Sequence, residues 1–190
     1  SFKKSGTGRS YPANETSSSL SKKEKSLSAQ LMRVNLAGEV AAQALYRGQA
    51  MVCKDAEIKK HLVQAGEEET DHLIWCKKRL EELNGKPSIL NPVWYAGSFA
   101  IGAIFGSFGE KTSLGFVEET EKQVVKHLEK HLDKVSKNDT ETIEILKTMR
   151  ADEDEHAQEA IENGSESLSE PTKKVMSFTA KVMTSSSAYI

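Results

Sequence analysis

With 190 residues the chain is long enough for one domain with a genuine hydrophobic core and short for two of ordinary size. Its 26 Lys and Arg stand against 28 Asp and Glu, which excludes the strong basic excess of a nucleic-acid binder and leaves no acidic tail. Two cysteines, Cys53 and Cys76, form no CxxC pair; this argues against a disulfide scaffold or a thiolate zinc site and suits a reducing compartment. The chain opens on Ser1, which leaves room for a missing initiator Met or leader; no charged-then-apolar secretory signal is visible, and the cytoplasm is the expectation.

Residues 1–27 (SFKKSGTGRSYPANETSSSLSKKEKSL) are rich in Ser, Lys and Gly and poor in apolar side chains. Too little surface is available there to offset chain entropy, so a mobile polar tail is expected, followed by a single domain over residues 28–190. Beyond the tail, apolar residues recur at intervals of three and four, the period of helices. Breaks at NGKP, SFGEK, SKNDT and ENGSESLSEP divide the pattern into helices over 28–54, 56–84, 90–107, 111–136, 140–163 and 171–186. The fold class is therefore all-α, a helical bundle.

The first helix carries the apolar line Met32, Leu36, Glu39, Gln43, Tyr46, Ala50, with one carboxylate inside it. In the second the line is Ile58, Leu62, Ala65, Glu69, His72, Cys76, Leu80, Leu83, so an ExxH pair sits among core positions. The third differs in kind: from Pro87 to Gly109 there is no charged residue before the final glycine, and the stretch approaches the ~20 residues of a membrane span. Asn91, Pro92, Gly97, Gly102 and Gly106 interrupt it, which leaves open a buried core helix, a surface that dips into one leaflet, and a full span. The next helix runs Leu114, Val117, Glu121, Val124, Leu128, Leu132, and the one after it Leu146, Met149, Glu153, His156, Ala160. The last sets Val175, Phe178, Val182 and Met183 against Lys173, Lys174 and Lys181, the pattern of a helix lying on an anionic membrane or of a terminal helix packed on the bundle.

On a helix, positions i and i+3 share a face, so each ExxH offers a carboxylate oxygen and an imidazole nitrogen to one point. Four core carboxylates with no Lys or Arg on their own lines are costly unless paired or metal-bound. A lone-Glu helix followed by an ExxH helix occurs twice, with Glu39 and Glu69 30 residues apart and Glu121 and Glu153 32 apart. Two single glutamates plus two ExxH pairs, on four helices, are the donor set of a carboxylate-bridged pair of metal ions. Four carboxylates suit iron or manganese better than zinc. Glu118, one turn from Glu121, is the runner-up there; Glu121 is preferred because it lies on the apolar line and keeps the repeat. His127 is a candidate to orient the site from behind, and His61 and His131 are expected at the surface.

At these positions the sequence resembles the demethoxyubiquinone hydroxylase family, a bacterial di-iron quinone hydroxylase of ubiquinone biosynthesis. The resemblance rests on LMRVNLAGEV, ALYRGQA, EEETDHLIWC, SILNPVWY, SLGFVEETEKQVVKHLEKHL and MRADEDEH and covers roughly residues 30–186. Leu36 departs from the His or Thr of many members. The resemblance implies a ferritin-like four-helix bundle with added apolar helices that contact a membrane. It implies Glu39, Glu69, His72, Glu121, Glu153 and His156 as iron ligands and catalytic residues, Glu69 and Glu153 bridging two irons. The implied reaction hydroxylates the ring of 2-polyprenyl-3-methyl-6-methoxy-1,4-benzoquinol with O2 and an external two-electron donor. A peripheral place on the cytoplasmic face of the bacterial inner membrane follows, with a biosynthetic complex or an oligomer as further partners. The rival functions are iron oxidation and storage in a ferritin-like cage, and a non-catalytic scaffold.

Overall fold

The computed structural model describes residues 5–13 and 19–190, which contain six helices and no strand. These are α1 (Lys22–Val52), α2 (Ala56–Glu82), α3 (Asn91–Ser107), α4 (Glu110–Lys134), α5 (Thr140–Glu162) and α6 (Glu170–Ser187). The helix starts follow local chemistry. Asp55 accepts from the backbone N–H groups of Glu57 and Ile58, Asp139 from that of Thr142, and Ser169 from that of Thr172. At the head of α1, Ser21 and Glu24 form a capping box, each side chain bonded to the other's backbone N–H. Gly109, with φ of 104°, turns the chain between α3 and α4 in a conformation that L side chains rarely adopt.

Helices α1, α2, α4 and α5 form the bundle, and two apolar clusters fix its directions. One cluster gathers Met32, Leu36, Trp75, Cys76, Leu80, Leu128, Ile145, Leu146 and Met149. The other gathers Tyr46, Ala50, Leu62, Ala65, Leu114, Val117 and Ala160. Each helix contributes to both, with α1 and α5 running from the first cluster to the second and α2 and α4 running back. The order leaves α2 and α4 parallel, so their connection must cross the length of the bundle, and α3 makes that crossing. Between the clusters lies a layer of polar side chains, each flanked along its own helix by buried apolar residues.

Two regions differ from expectation. Helix α1 begins at Lys22, inside the segment assigned to a tail, because Ser21 and Glu24 cap it and Glu24 also accepts from Ser136 and Asn138 of the α4–α5 loop. Of the remaining tail, residues 1–4 and 14–18 lie outside the described residues, whereas residues 5–13 lie against α2 and α5 and bury Ala13 in the first apolar cluster. The charge-free segment is not a core helix: in α3 only Gly102 is buried. It packs on α1 through small residues, since a Cβ at Gly48 would meet the α3 backbone at Phe99 and Ala103, and one at Gly102 would meet the α1 backbone at Leu45. The opposite side of the segment leaves Ile89, Val93, Ile104 and Phe108 exposed. No helix of the described residues is long and apolar enough to cross a membrane.

Candidate metal centre

The polar layer brings all six predicted side chains together. Glu39 comes from α1, Glu69 and His72 from α2, Glu121 from α4, and Glu153 and His156 from α5, and none is more than 4% exposed. Their donor atoms fall into two groups able to hold an ion each: Glu39, Glu69, His72 and Glu153 in one, Glu69, Glu121, Glu153 and His156 in the other. Within each group the atoms lie within 4.8 Å of one another. Glu69 and Glu153 belong to both groups. Glu118, by contrast, turns outward to Lys122 and Ser165.

Both imidazoles present the same nitrogen inward. His72 Nδ1 lies 3.1 Å from Glu153, 3.5 Å from Glu39 and 3.6 Å from Glu69; His156 Nδ1 lies 3.2 Å from Glu153 and 3.4 Å from Glu69. The outer nitrogens bond to acids on the opposite ExxH helix. His72 Nε2 is 2.8 Å from Asp152, and His156 Nε2 is 2.7 Å from Glu68. The acid immediately before each ExxH glutamate thus secures the histidine of the other pair, which sets the ring's rotation and aims Nδ1 at the cluster. Tyr46 donates to Glu121 Oε1 at 2.6 Å, while Gln43 donates to Thr70 at 2.7 Å behind the layer.

The chemistry of this set fits a pair of hard cations. Burial pushes the Glu39 and Glu121 carboxyls well above the usual carboxylate range, and the neighbouring glutamates push them the same way. Burial also raises Glu69, but the imidazoles of His156 and His72, 3.4 and 3.6 Å away, outweigh it and hold this carboxyl below its ordinary value. Burial lowers His72 and His156, yet the carboxylates around them win and raise both well above an ordinary imidazole. Even so, Glu39 Oε2, both oxygens of Glu69, Glu121 Oε2 and His72 Nδ1 are buried without a hydrogen-bond partner. Orphaned donors of this kind, converging on one volume, are what a bound ion would satisfy.

Residues missed by the sequence reading are Asp152, Glu68 and the hydrogen bond of Tyr46. A signal for the first two was present, since an acid precedes the ExxH glutamate in both halves of the repeat. The role foreseen for His127 is not met: its ring packs on His131 at 4.0 Å between centroids, its Nε2 has no partner, and other side chains secure the histidines of the cluster. Nor is His131 at the surface, being 5% exposed on the face it shares with Leu128 and Val135; His61 is exposed as expected. A narrow crevice between α1 and α4 is lined by Ala42, Leu45, Tyr46, Gln49, Phe116, Val117, Thr120 and Glu121. Helix α3 borders it, with Phe105 packed on Phe116 at 4.2 Å.

The four helices and their shared carboxylate layer place the molecule in the ferritin-like class. A solved structure titled as a dodecameric thioferritin, the bacterioferritin-related protein from Bacteroides fragilis, superposes with a TM-score of 0.60 over 73% of this chain and 84% of that one, at 24% identity. Residues 26–187 match the family model described as ubiquinone biosynthesis protein COQ7, and the chain belongs to that family. Among its curated relatives, a 3-demethoxyubiquinol 3-hydroxylase from Francisella philomiragia is 53% identical over 93% of this chain and 83% of its own length. One of the same name from Legionella pneumophila is 50% identical over 97% and 87%. The resemblance read from the motifs is thereby borne out.

Proposed function

We propose that the chain is an iron-dependent 3-demethoxyubiquinol hydroxylase, in which Glu39, Glu69, His72, Glu121, Glu153 and His156 would hold two ions, with Glu69 and Glu153 common to both donor groups. The observation that carries this reading is the pair of overlapping donor groups with orphaned, buried oxygens, found in a member of a ubiquinone-biosynthesis family. Two irons held there would activate O2 and, with two electrons from an external donor, supply the oxygen atom for hydroxylation of the quinol ring.

The protein's own side chains have three tasks. Asp152 and Glu68 hold the imidazoles so that each Nδ1 remains aimed inward. Tyr46 holds Glu121 by one oxygen, leaving Oε2 free to serve as donor, and places a phenol proton at the end of the crevice. The apolar clusters on either side of the layer exclude water, which protects the reactive centre from side reactions.

A polyprenyl quinol resides in the bilayer, and the protein carries two exposed apolar features suited to meet it there. On α3 and its ends these are Ile89, Val93, Ile104 and Phe108; on α6 they are Val175, Phe178 and Val182, with Lys174 and Lys181 close by for anionic headgroups. A ring approaching the Glu121 side of the cluster would have to part the narrow crevice between α1 and α4 that α3 borders. A peripheral position on the cytoplasmic face of the inner membrane accords with these faces, which also give a biosynthetic complex or an oligomer a place to form. Iron storage is disfavoured by the hydroxylase names of relatives that cover most of the chain.

The test is quinone analysis in a bacterial strain deleted for its demethoxyubiquinol hydroxylase. The chain should clear the accumulated demethoxy intermediate and restore ubiquinone, and a folded Glu153→Ala variant should not. Failure of the wild-type chain to rescue, or rescue by Glu153→Ala, sinks the reading.

A further inference from the structure

The two histidines of the centre are secured alike, but what stands behind them differs. Asp152, which holds His72, is gripped by Arg9: Nη1 donates to Oδ2 at 2.6 Å and Nη2 to Oδ1 at 3.1 Å, a bidentate pair. Oδ2 is also the oxygen that meets His72 Nε2, so guanidinium and imidazole converge on one atom. Glu68, which holds His156, has as its other described hydrogen-bond partner the neutral Gln64 amide at 2.7 Å. Arg9 lies within electrostatic reach of Glu68 and of Asp71, but the hydrogen bonds it makes among the described residues go to Asp152.

Arg9 is delivered from far away in sequence by the segment over residues 5–13. Asp71 of α2 ties that segment down by accepting from the backbone N–H of Thr7 at 3.1 Å and of Gly8 at 3.2 Å, and from the Thr7 hydroxyl. Tyr11 donates to Glu82 at 3.0 Å further along. The guanidinium then lies over the Trp75 ring, 5.1 Å from its centre, and that ring packs on His72 at 5.3 Å.

We propose that Arg9 is a positioning residue of the metal centre, fixing Asp152 against His72 and so tightening the ion position of Glu39 and His72 while leaving that of Glu121 and His156 as it is. The proposal rests on the reading that the six side chains hold two ions. Its physical basis is leverage. Asp152 is 14% exposed, and with neither oxygen gripped it exchanges His72 for water; with both gripped it cannot rotate away. A histidine with a fixed partner loses less freedom on binding an ion, and loss of such partners typically costs about 10- to 100-fold in metal affinity.

The experiment is anaerobic titration of the metal-free full chain with 57Fe(II), followed by Mössbauer spectroscopy, for wild type, Arg9→Gln and Arg9→Lys, with melting of each metal-free protein. Wild type should show two ferrous signals of different parameters. In Arg9→Gln one signal should shift and one binding step should weaken about 10-fold, the other remaining as it was, with the metal-free melting temperature unchanged; Arg9→Lys should recover part of both. Wild-type signals and isotherm retained in Arg9→Gln overturn the proposal while leaving the metal centre in place. So does equal weakening of both steps in parallel with a lower melting temperature, which is general loosening. A wild-type chain that takes up no iron overturns the metal-centre reading and this proposal together.

Discussion

Glu118 and Glu121 occupy the same turn of α4 and have opposite surroundings, which makes them a matched pair for experiment. Glu121→Gln should remove the charge of one donor and reduce iron binding from two ions to one, while Glu118→Gln should leave stoichiometry and hydroxylation unchanged; equal effects in plasma-emission iron counts would refute the assignment. A second prediction concerns protons. Glu39 and Glu121 are raised by burial, and His72 and His156 are raised by their carboxylate neighbours against the pull of burial, so at these four groups the folded metal-free chain binds more protons than the unfolded one. Their contribution to stability is therefore fully present below the ordinary carboxylate and imidazole ranges and is lost as pH rises through the raised values. Glu69, held low, works in the opposite sense only in stronger acid. Since ions bind the deprotonated donors, the rise in melting temperature caused by Mn(II) over EDTA should grow between about pH 5 and 8. A flat or reversed dependence in calorimetry is the contrary result. The packed His127–His131 pair on α4 behaves differently: partial burial and nearby Lys residues lower His127 to about 4, and burial, with His127 beside it, lowers His131 to about 3. Both should remain neutral by NMR at about pH 5.5, and their stabilising effect should be lost as pH falls from about 6.5 toward those values. The six central residues were legible because charged side chains on an apolar line contradict the pattern around them. Arg9 was not, because its meaning depends on a partner 143 residues away.

At the scale of elements, α3 carries the sharpest expectation. Its exposed apolar side, with no charged residue from Asn91 to Ser107, should insert among acyl chains, so Ile104→Glu combined with Phe108→Glu should cut flotation with anionic liposomes by about 10-fold or more while melting is unaffected. Undiminished flotation would remove α3 as the docking element. Helix period and Gly/Pro breaks placed all six helices to within a few residues, apart from the start of α1. There the Ser-Lys-Lys-Glu sequence of the capping box was itself the signal, obscured by a polar composition that reads as tail. The place of α3 was harder to read: an uncharged helix can be interior or can lie on the outside of a bundle, and the sequence does not display that Gly48 and Gly102 seat α3 on α1 along one side while the other stays exposed.

At the scale of the whole molecule, α1–α2 and α4–α5 are two hairpins of like design, and the ferritin-like class was legible from that repetition. The sequence could not display how the hairpins interlock. Removing one interlock, with Glu68→Gln, should lower iron affinity about 10- to 100-fold with little loss of helix by circular dichroism, because His156 keeps its place in the chain but loses its anchor. Iron affinity equal to wild type would mean that the bond across the hairpins is incidental. The crossing of donors also governs when the centre can exist. Each hairpin supplies three donors of one group and borrows the fourth from the other, Glu153 in one case and Glu69 in the other. If the six side chains hold the ions, a chain emerging from the ribosome with α1 and α2 already paired presents an incomplete set, and capture of the first ion would wait until α5 has been synthesised and docked. Loading would then be a checkpoint on assembly, completed only by a polypeptide whose two halves have met.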